Sequence, residues 1–191
     1  YWVEMRPSEG GRMVVVKRTP DGGISDITPE PFSVRTKVHE YGGGAFLVDK
    51  GTVYFSNYSD QRMYRQDPGA EPRPITPEFE MRYADGCFDA ARDRIICVLE
   101  DHTSGGEAVN SIAAIDSSGQ GDIQVLYQES DFCSNPRISP DGSMLAWLTW
   151  YHPNMPWDGT ELWVARFDSE GSLGEAQPVA VDDAMAEAAG L

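Results

Sequence analysis

Tyr41-Gly42-Gly43-Gly44-Ala45-Phe46 and Tyr83-Ala84-Asp85-Gly86-Cys87-Phe88 share the pattern Y-x-x-G-x-F at an offset of 42 residues. A looser copy, Cys133-Ser134-Asn135-Pro136-Arg137-Ile138, follows after a further 50. Behind each copy comes a short polar turn and then an apolar run. These are Asp49-Lys50-Gly51 into Val53-Tyr54-Phe55, Arg92-Asp93-Arg94 into Ile95-Ile96-Cys97-Val98, and Pro140-Asp141-Gly142 into Leu145-Ala146-Trp147-Leu148. Two short apolar runs joined by an Asp/Gly turn signal a β-hairpin.

Two more strands are expected in every unit. The third runs toward an aspartate, Met13 to Asp21, Met63 to Asp67, Ile112 to Asp116 and Leu162 to Asp168, with the aspartates 46, 49 and 52 residues apart. The fourth carries Ile27-Thr28-Pro29, Ile75-Thr76-Pro77, Val125-Leu126 and Pro178-Val179, at spacings of 48, 50 and 54. A period near 50 with four short strands is that of a β-propeller blade, whereas about 34 with helices would indicate a helical solenoid. One blade cannot bury both faces of its sheet, so neighbours must stack.

Four second strands (the first at Tyr1-Trp2-Val3), four third and four fourth strands are present, but only three inner first strands. Closing a four-bladed ring would require the tail Asp182-Asp183-Ala184-Met185-Ala186-Glu187-Ala188-Ala189 to supply the missing strand, and that composition is poor strand material. The expected fold is therefore all-β: a β-propeller of about three and a half four-stranded blades forming an open arc of a larger ring. Blade units are expected at about 1-30, 44-77, 86-127 and 136-180, within a domain of 1-181. Residues 182-191 read as a helical or disordered tail. Exposed end blades predict self-association or partial disorder at the ends of the arc.

Composition excludes several roles. With 31 acidic against 15 basic residues the net charge is −16, a field that repels phosphate backbones, so nucleic acid is not an expected partner. No stretch approaches the roughly 20 apolar residues that cross a bilayer, so no membrane partner is expected. The start, Tyr1 to Arg6, lacks the basic head and apolar run of a signal peptide, and also an initiator Met, so a natural start upstream is expected. Cys87, Cys97 and Cys133 are odd in number and lack C-x-x-C spacing, which speaks against a disulfide framework or zinc site and for a cytoplasmic location.

His39-Glu40 opens like a metal motif, but H-E-x-x-H needs a second His where Gly43 stands. No metal or cofactor is expected. Gly42 to Gly44 read as a turn into an inner strand with close backbone approach near the axis. In that place Glu40 or Tyr41 is positioned to meet a substrate terminus, since a carboxylate pairs strongly with a peptide α-amino group. The ten-residue loop from Tyr151 to Thr160 exceeds the 2–5 residues typical of a hairpin. With two prolines, His152, Met155, Trp157 and Asp158, it reads as a rigid contact surface for another domain or a ligand. His102, in a Gly/Ser loop, reads as solvated. Lys17-Arg18 and Arg92-Asp93-Arg94 read as charged strand edges that guard against pairing.

These residues resemble a known family. Trp2 to Arg12 (WVEMRPSEGGR), Val38-His39-Glu40-Tyr41-Gly42-Gly43-Gly44, Val53 to Asn57, Ser139-Pro140-Asp141-Gly142 and above all His152 to Trp163 (HPNMPWDGTELW) resemble the propeller of the prolyl oligopeptidase family of serine peptidases. The closest branch is the acylaminoacyl-peptidase and dipeptidyl-aminopeptidase-like group. The resemblance implies a peptidase of two parts, in which the propeller gates short peptides into an α/β-hydrolase domain that carries the nucleophile, acid and base. That domain and the peptide are the partners implied. The chain contains no G-x-S-x-G elbow, so no catalytic residue is expected in it. The other class of function compatible with the repeat is a protein-binding scaffold, including propellers that help assemble envelope complexes.

Overall fold

A computed structural model describes residues 1–180. The proposed helical or disordered tail, 182-191, lies outside the described residues. The chain folds into four antiparallel sheets taken in sequence order. The first has three strands, β1 (Trp2–Arg6), β2 (Arg12–Arg18) and β3 (Ile24–Asp26). The second has β4 (Phe46–Asp49), β5 (Thr52–Ser56), β6 (Met63–Gln66) and β7 (Arg73–Pro74). The third has β8 (Met81–Asp89), β9 (Arg94–Asp101), β10 (Val109–Asp116) and β11 (Gln124–Tyr127). The fourth has β12 (Phe132–Ile138), β13 (Met144–Trp150), β14 (Glu161–Arg166) and β15 (Gln177–Ala180). Among the described residues no strand pairs across a sheet border. This is an open arc of propeller blades. Among the described residues no helix is long and apolar enough to cross a membrane.

Three apolar clusters hold the four sheets together, one at each junction. Val15, Val34, Val53 and Phe55 join the first to the second. Tyr54, Met63, Ile95, Cys97 and Ile115 join the second to the third. Ile96, Val98, Ile112, Leu145 and Trp147 join the third to the fourth. The period-2 alternation of β9 explains the division: Ile95, Cys97 and Leu99 face one neighbour, Ile96 and Val98 the other. A strand buried on both faces reads as a continuous apolar run. The cysteines are part of this core. Burial pushes the Cys87 thiol up to about 11, and raises Cys97 and Cys133 as well, so all three stay protonated.

The second and third copies of the repeat form a bulge in the inner strand, whereas the first, Tyr41 to Phe46, leads into β4. Register shifts between Ala84 and Cys87 in β8 and between Ser134 and Arg137 in β12. Asp85 and Asn135 take left-handed φ values of 57° and 51° there, which Asp and Asn tolerate best among non-glycine residues. The Asp85 carboxylate accepts from Gly44 N–H at 2.6 Å and Asn135 N–H at 3.3 Å, so it ties three inner segments. A Cβ on Gly43 would lie 3.0 Å from that of Ala84, the close approach expected of the triple glycine.

Two strand markers shift. β2 and β14 stop at Arg18 and Arg166, and the aspartates expected to end them lie in the following turns. β3 and β7 end just before Ile27-Thr28-Pro29 and Ile75-Thr76-Pro77. The Ile-Thr-Pro step extends the ladder by other means. Ile27 N–H and Ile75 N–H donate to Val15 O and Met63 O, while Thr28 Oγ1 and Thr76 Oγ1 each accept, at 3.0 Å, from Val15 N–H and Met63 N–H. The threonine hydroxyl thus replaces a backbone carbonyl at the point where proline ends the strand. Arg12 and Arg62 in turn donate to the carbonyls of Thr28 and Thr76. Thr28→Val or Thr76→Val keeps the shape but orphans a buried N–H, and each is expected to lower stability by about 1–3 kcal/mol in urea unfolding. An unchanged midpoint would refute this role.

Arg92 and Arg94 do not guard a strand edge. They bind Asp89, whose side chain is 0% exposed, at 3.1 and 3.0 Å. They then reach the fourth sheet's turns, at Gly142 O (3.2 Å) and Gly171 O (2.7 Å). Both guanidinium groups lie over the Phe167 ring, 4.3 and 5.3 Å from its centroid. The cluster is a clamp between sheets.

Candidate functional site

In an antiparallel blade the inner strand begins at the same end as the hairpin between second and third strands. The segments entering β8 and β12, the β9–β10 loop and the β13–β14 loop therefore share one end of the sheets. Residues 37–41, on their way to β4, cross onto it. His39 and Glu40 take φ values of 54° and 64°, a tight left-handed turn that buries Val38 and turns His39 inward.

His39 N–H donates to Glu100 Oε1 at 2.9 Å, and its ring Nε2 lies 3.1 Å from Asn110 Oδ1. The Asn110 amide donates to Asp131 O, so Oδ1 is the acceptor and His39 Nε2 carries the proton. Phe132 and Trp150 meet the imidazole edge-on, at 5.7 and 5.2 Å, and Tyr41 lies 5.6 Å away. Burial pushes the His39 pKa down, against the pull of Glu100. As pH falls below 6.5, the usual histidine value, the unfolded chain takes up a proton that the folded chain resists. The stability present above 6.5 is therefore lost toward the lower folded value. His39→Gln removes the titration, and its melting temperature should fall less steeply with acidification than that of the wild type; parallel profiles would refute this.

Glu100 is buried at 4% exposure, and three donors surround it: His39 N–H, Arg82 Nη1 at 3.2 Å and His102 Nε2 at 2.9 Å. His102 is thus bound rather than merely solvated. Arg82 also donates to Lys37 O at 2.8 Å and to Glu40 Oε1 at 2.6 Å, which holds the Glu40 carboxyl below its ordinary pKa. The Glu40 side chain is 79% exposed, and its second oxygen has no partner among the described residues. At the far end, His152 sits between two carboxylates, Asp131 Oδ2 at 3.1 Å and Glu107 Oε1 at 3.0 Å, with Phe132 4.8 Å from its ring. The Asp131 pKa is lowered chiefly by the hydrogen bond from His152 N–H.

One polar chain therefore links Glu40, Arg82, Glu100, His39, Asn110, Asp131 and His152, with Tyr41 packed against it. Met155, Trp157 and Asp158 share the loop of His152 but form a turn of their own. Met155 N–H donates to Asp158 Oδ2 at 3.0 Å and Asp158 N–H to Met155 O at 2.9 Å. Trp157 is 75% exposed. Arg82, Glu100, Asn110 and Asp131 were not singled out by sequence; the one available signal is Glu100, a carboxylate closing the apolar run of β9. Hollows open on this end, among them one of about 490 Å³ bounded by Lys37, Asp60, Phe79, Arg82 and His102 and one of about 260 Å³ bounded by Glu107, Asn110, Asp131 and His152. Each histidine pairs with a carboxylate or amide, and none with a hydroxyl or thiol among the described residues.

Sheets stacked in an arc, with a polar rim between loops, define a propeller segment. Fold and sequence likeness together place the chain with the propellers of the prolyl oligopeptidase family. It is similar to a puromycin hydrolase, at 34% identity and a TM-score of 0.87 over 95% of this chain and 31% of that one. A mutant of that enzyme is known complexed with PGG. It is also similar to a puromycin-hydrolyzing peptidase of Mycobacterium tuberculosis, at 35% identity and a TM-score of 0.87 over 95% of this chain and 30% of that one. A TolB from Acinetobacter baumannii, at 16% identity and a TM-score of 0.60 over 94% and 40% of the two chains, shares the fold alone. The chain thus spans about a third of the length of the peptidases it matches. No family model matches the chain, and no curated protein does.

Proposed function

We propose that this chain is the non-catalytic propeller part of a cytoplasmic serine peptidase, acylaminoacyl-peptidase or dipeptidyl-aminopeptidase-like in type. In this reading residues 1-181 form one propeller domain that gates short peptides into an α/β-hydrolase domain. The observation that carries it is the gathering of Glu40, Tyr41 and His152 on one sheet end, in a chain similar at 34–35% identity to two puromycin-hydrolysing peptidases. The outward oxygen of Glu40 pairs with a peptide α-amino group, while Arg82 keeps the carboxylate ionised and aimed. Met155 and Trp157, both exposed, contact the neighbouring domain or the peptide, and Asp158 holds their turn.

Titrating short peptides into the chain by calorimetry tests this. Glu40→Gln should weaken binding of peptides with a free amino terminus by about three- to tenfold, because an exposed charged hydrogen bond is lost. N-acetylated peptides should not respond to the substitution. Equal binding by both proteins would overturn the role of Glu40. The chain alone should not hydrolyse acyl-peptide or dipeptide substrates, and turnover that survives repurification would contradict its non-catalytic assignment.

A further inference from the structure

The hollow of about 490 Å³ on the sheet end carries hydrogen-bond donors left unused among the described residues. Each acceptor given to the Arg82 guanidinium, Lys37 O, Glu40 Oε1 and Glu100 Oε2, lies on Nη1. Its Nε and Nη2 meet none among the described residues, although the side chain is only 19% exposed. That Nε–Nη2 edge is one that takes a carboxylate through two parallel bonds. Lys37 Nζ sits over the Tyr58 ring, 4.7 Å from its centroid, and pairs with no carboxylate among the described residues. Behind the larger pull of Arg82, Lys37 also helps to hold the Glu40 carboxyl below its ordinary pKa, so the two lie near each other.

Carboxylates stand beside these donors. Asp60 is committed to the Tyr64 hydroxyl at 2.6 Å and the Asn57 amide at 3.1 Å, whereas Glu80 is exposed on the rim. Lys37 and Arg82 thus lie among Glu40, Asp60, Glu80 and Glu100, a balance that gives a bare anion little reason to enter. A ligand that brings its own ammonium group escapes that objection. Glu40 and Arg82 form one ion pair, 2.6 Å across, and each keeps an unused side. Ligand charges that answer both must lie as close together as the pair itself, and an α-amino acid carries its ammonium and carboxylate on a single carbon. We propose that this hollow is a site for a free α-amino acid with a large apolar side chain. Its ammonium meets Glu40 and its carboxylate meets Arg82 and Lys37. Its side chain lies against Phe79, 61% exposed, and the half-buried Met81, which also bound the hollow. The assignment rests on Glu40 as an amine acceptor, as in the function proposed above, and adds the carboxylate half. Such a ligand competes with an incoming peptide for Glu40.

Titration of the 191-residue chain with L-phenylalanine, followed by nitrogen-edited NMR, tests this. The amide signals of Met81, Arg82 and His102 should shift and saturate. L-phenylalaninamide keeps the ammonium and the ring but loses the carboxylate, and should bind about tenfold more weakly. N-acetyl-L-phenylalanine should be weakened by a similar factor. So should the tetrapeptide Phe-Ala-Ala-Ala, whose carboxylate lies at its far end. Lys37→Gln should narrow the gap between the amino acid and its amide to about threefold. The arms separate the two readings. If the acetylated compound binds as tightly as L-phenylalanine, Glu40 accepts no amine and both readings fall. If the amide or the tetrapeptide matches L-phenylalanine while the acetylated compound stays weak, Glu40 keeps its role and the amino-acid site alone is overturned. A lack of saturable shifts with L-phenylalanine, or a gap unchanged in Lys37→Gln, overturns it too. The wild-type comparisons decide the matter whether or not the variant folds.

Discussion

Asp89→Ala should destabilise the chain by about 3–5 kcal/mol, because it strands two guanidinium groups between sheets without their counter-charge. Asp89 is 0% exposed, and the Arg94 side chain only 10%. Arg94 is further committed to Gln124 Oε1 and Gly171 O, so it cannot swing out to water without breaking the junction of the third and fourth sheets. For a chain of this size the loss corresponds to a melting temperature lower by roughly ten degrees. Arg92→Ala should cost less, since that side chain is 25% exposed and retains water when unpaired. Thermal unfolding of the two variants measures the ranking. An Asp89→Ala loss below that of Arg92→Ala would show that the clamp is not organised around the carboxylate.

Trp147→Ala should cost a similar amount, about 3–5 kcal/mol, for a different reason. Trp147 is fully buried, stands 4.9 Å from the Tyr127 ring and fills the junction of the third and fourth sheets. Its truncation opens a cavity that strands fixed by hydrogen bonds cannot close. Its indole N–H, however, has no acceptor among the described residues. Trp147→Phe deletes that orphaned donor along with part of the ring volume, so it should lose less than half of what the alanine variant loses. Denaturant midpoints decide it: equal losses for Phe and Ala would mean that the site tolerates only the indole shape.

The fold was legible because each blade writes the same local physics into its own 40 to 50 residues. Left-handed Asp85 and Asn135 mark the bulge, and Lys50-Gly51 and Asp141-Gly142 the first hairpin turn. The continuous run Ile95 to Leu99 marks a strand buried on both sides. The Ile-Thr-Pro marker was noticed but placed one step early, because a threonine hydroxyl that stands in for a backbone acceptor has no signature in strand propensity. The site was legible only in part. Glu40, Tyr41 and His152 stood out as unusual residues in unusual loops. Their partners did not, because those contacts join distant segments: His39 meets Glu100 across 61 residues and Asn110 across 71. Arg92, Arg94 and His102 failed for the same cause. A charged residue in a turn looks solvated until the neighbouring blade's carboxylate or carbonyl is in place.

The division of β9 and β10 between two clusters sets where the chain tolerates genetic drift. A side chain at 95–99 or 112–115 answers to one neighbour while its successor answers to the other, so the whole run is constrained at once. In β13 of the fourth sheet, by contrast, full burial falls on alternate residues, Leu145, Trp147 and Thr149, and Ala146 and Leu148 between them are only half-buried. Variant libraries of this chain should therefore be depleted most sharply in its third quarter, a hot band set by stacking order and not by proximity to any ligand.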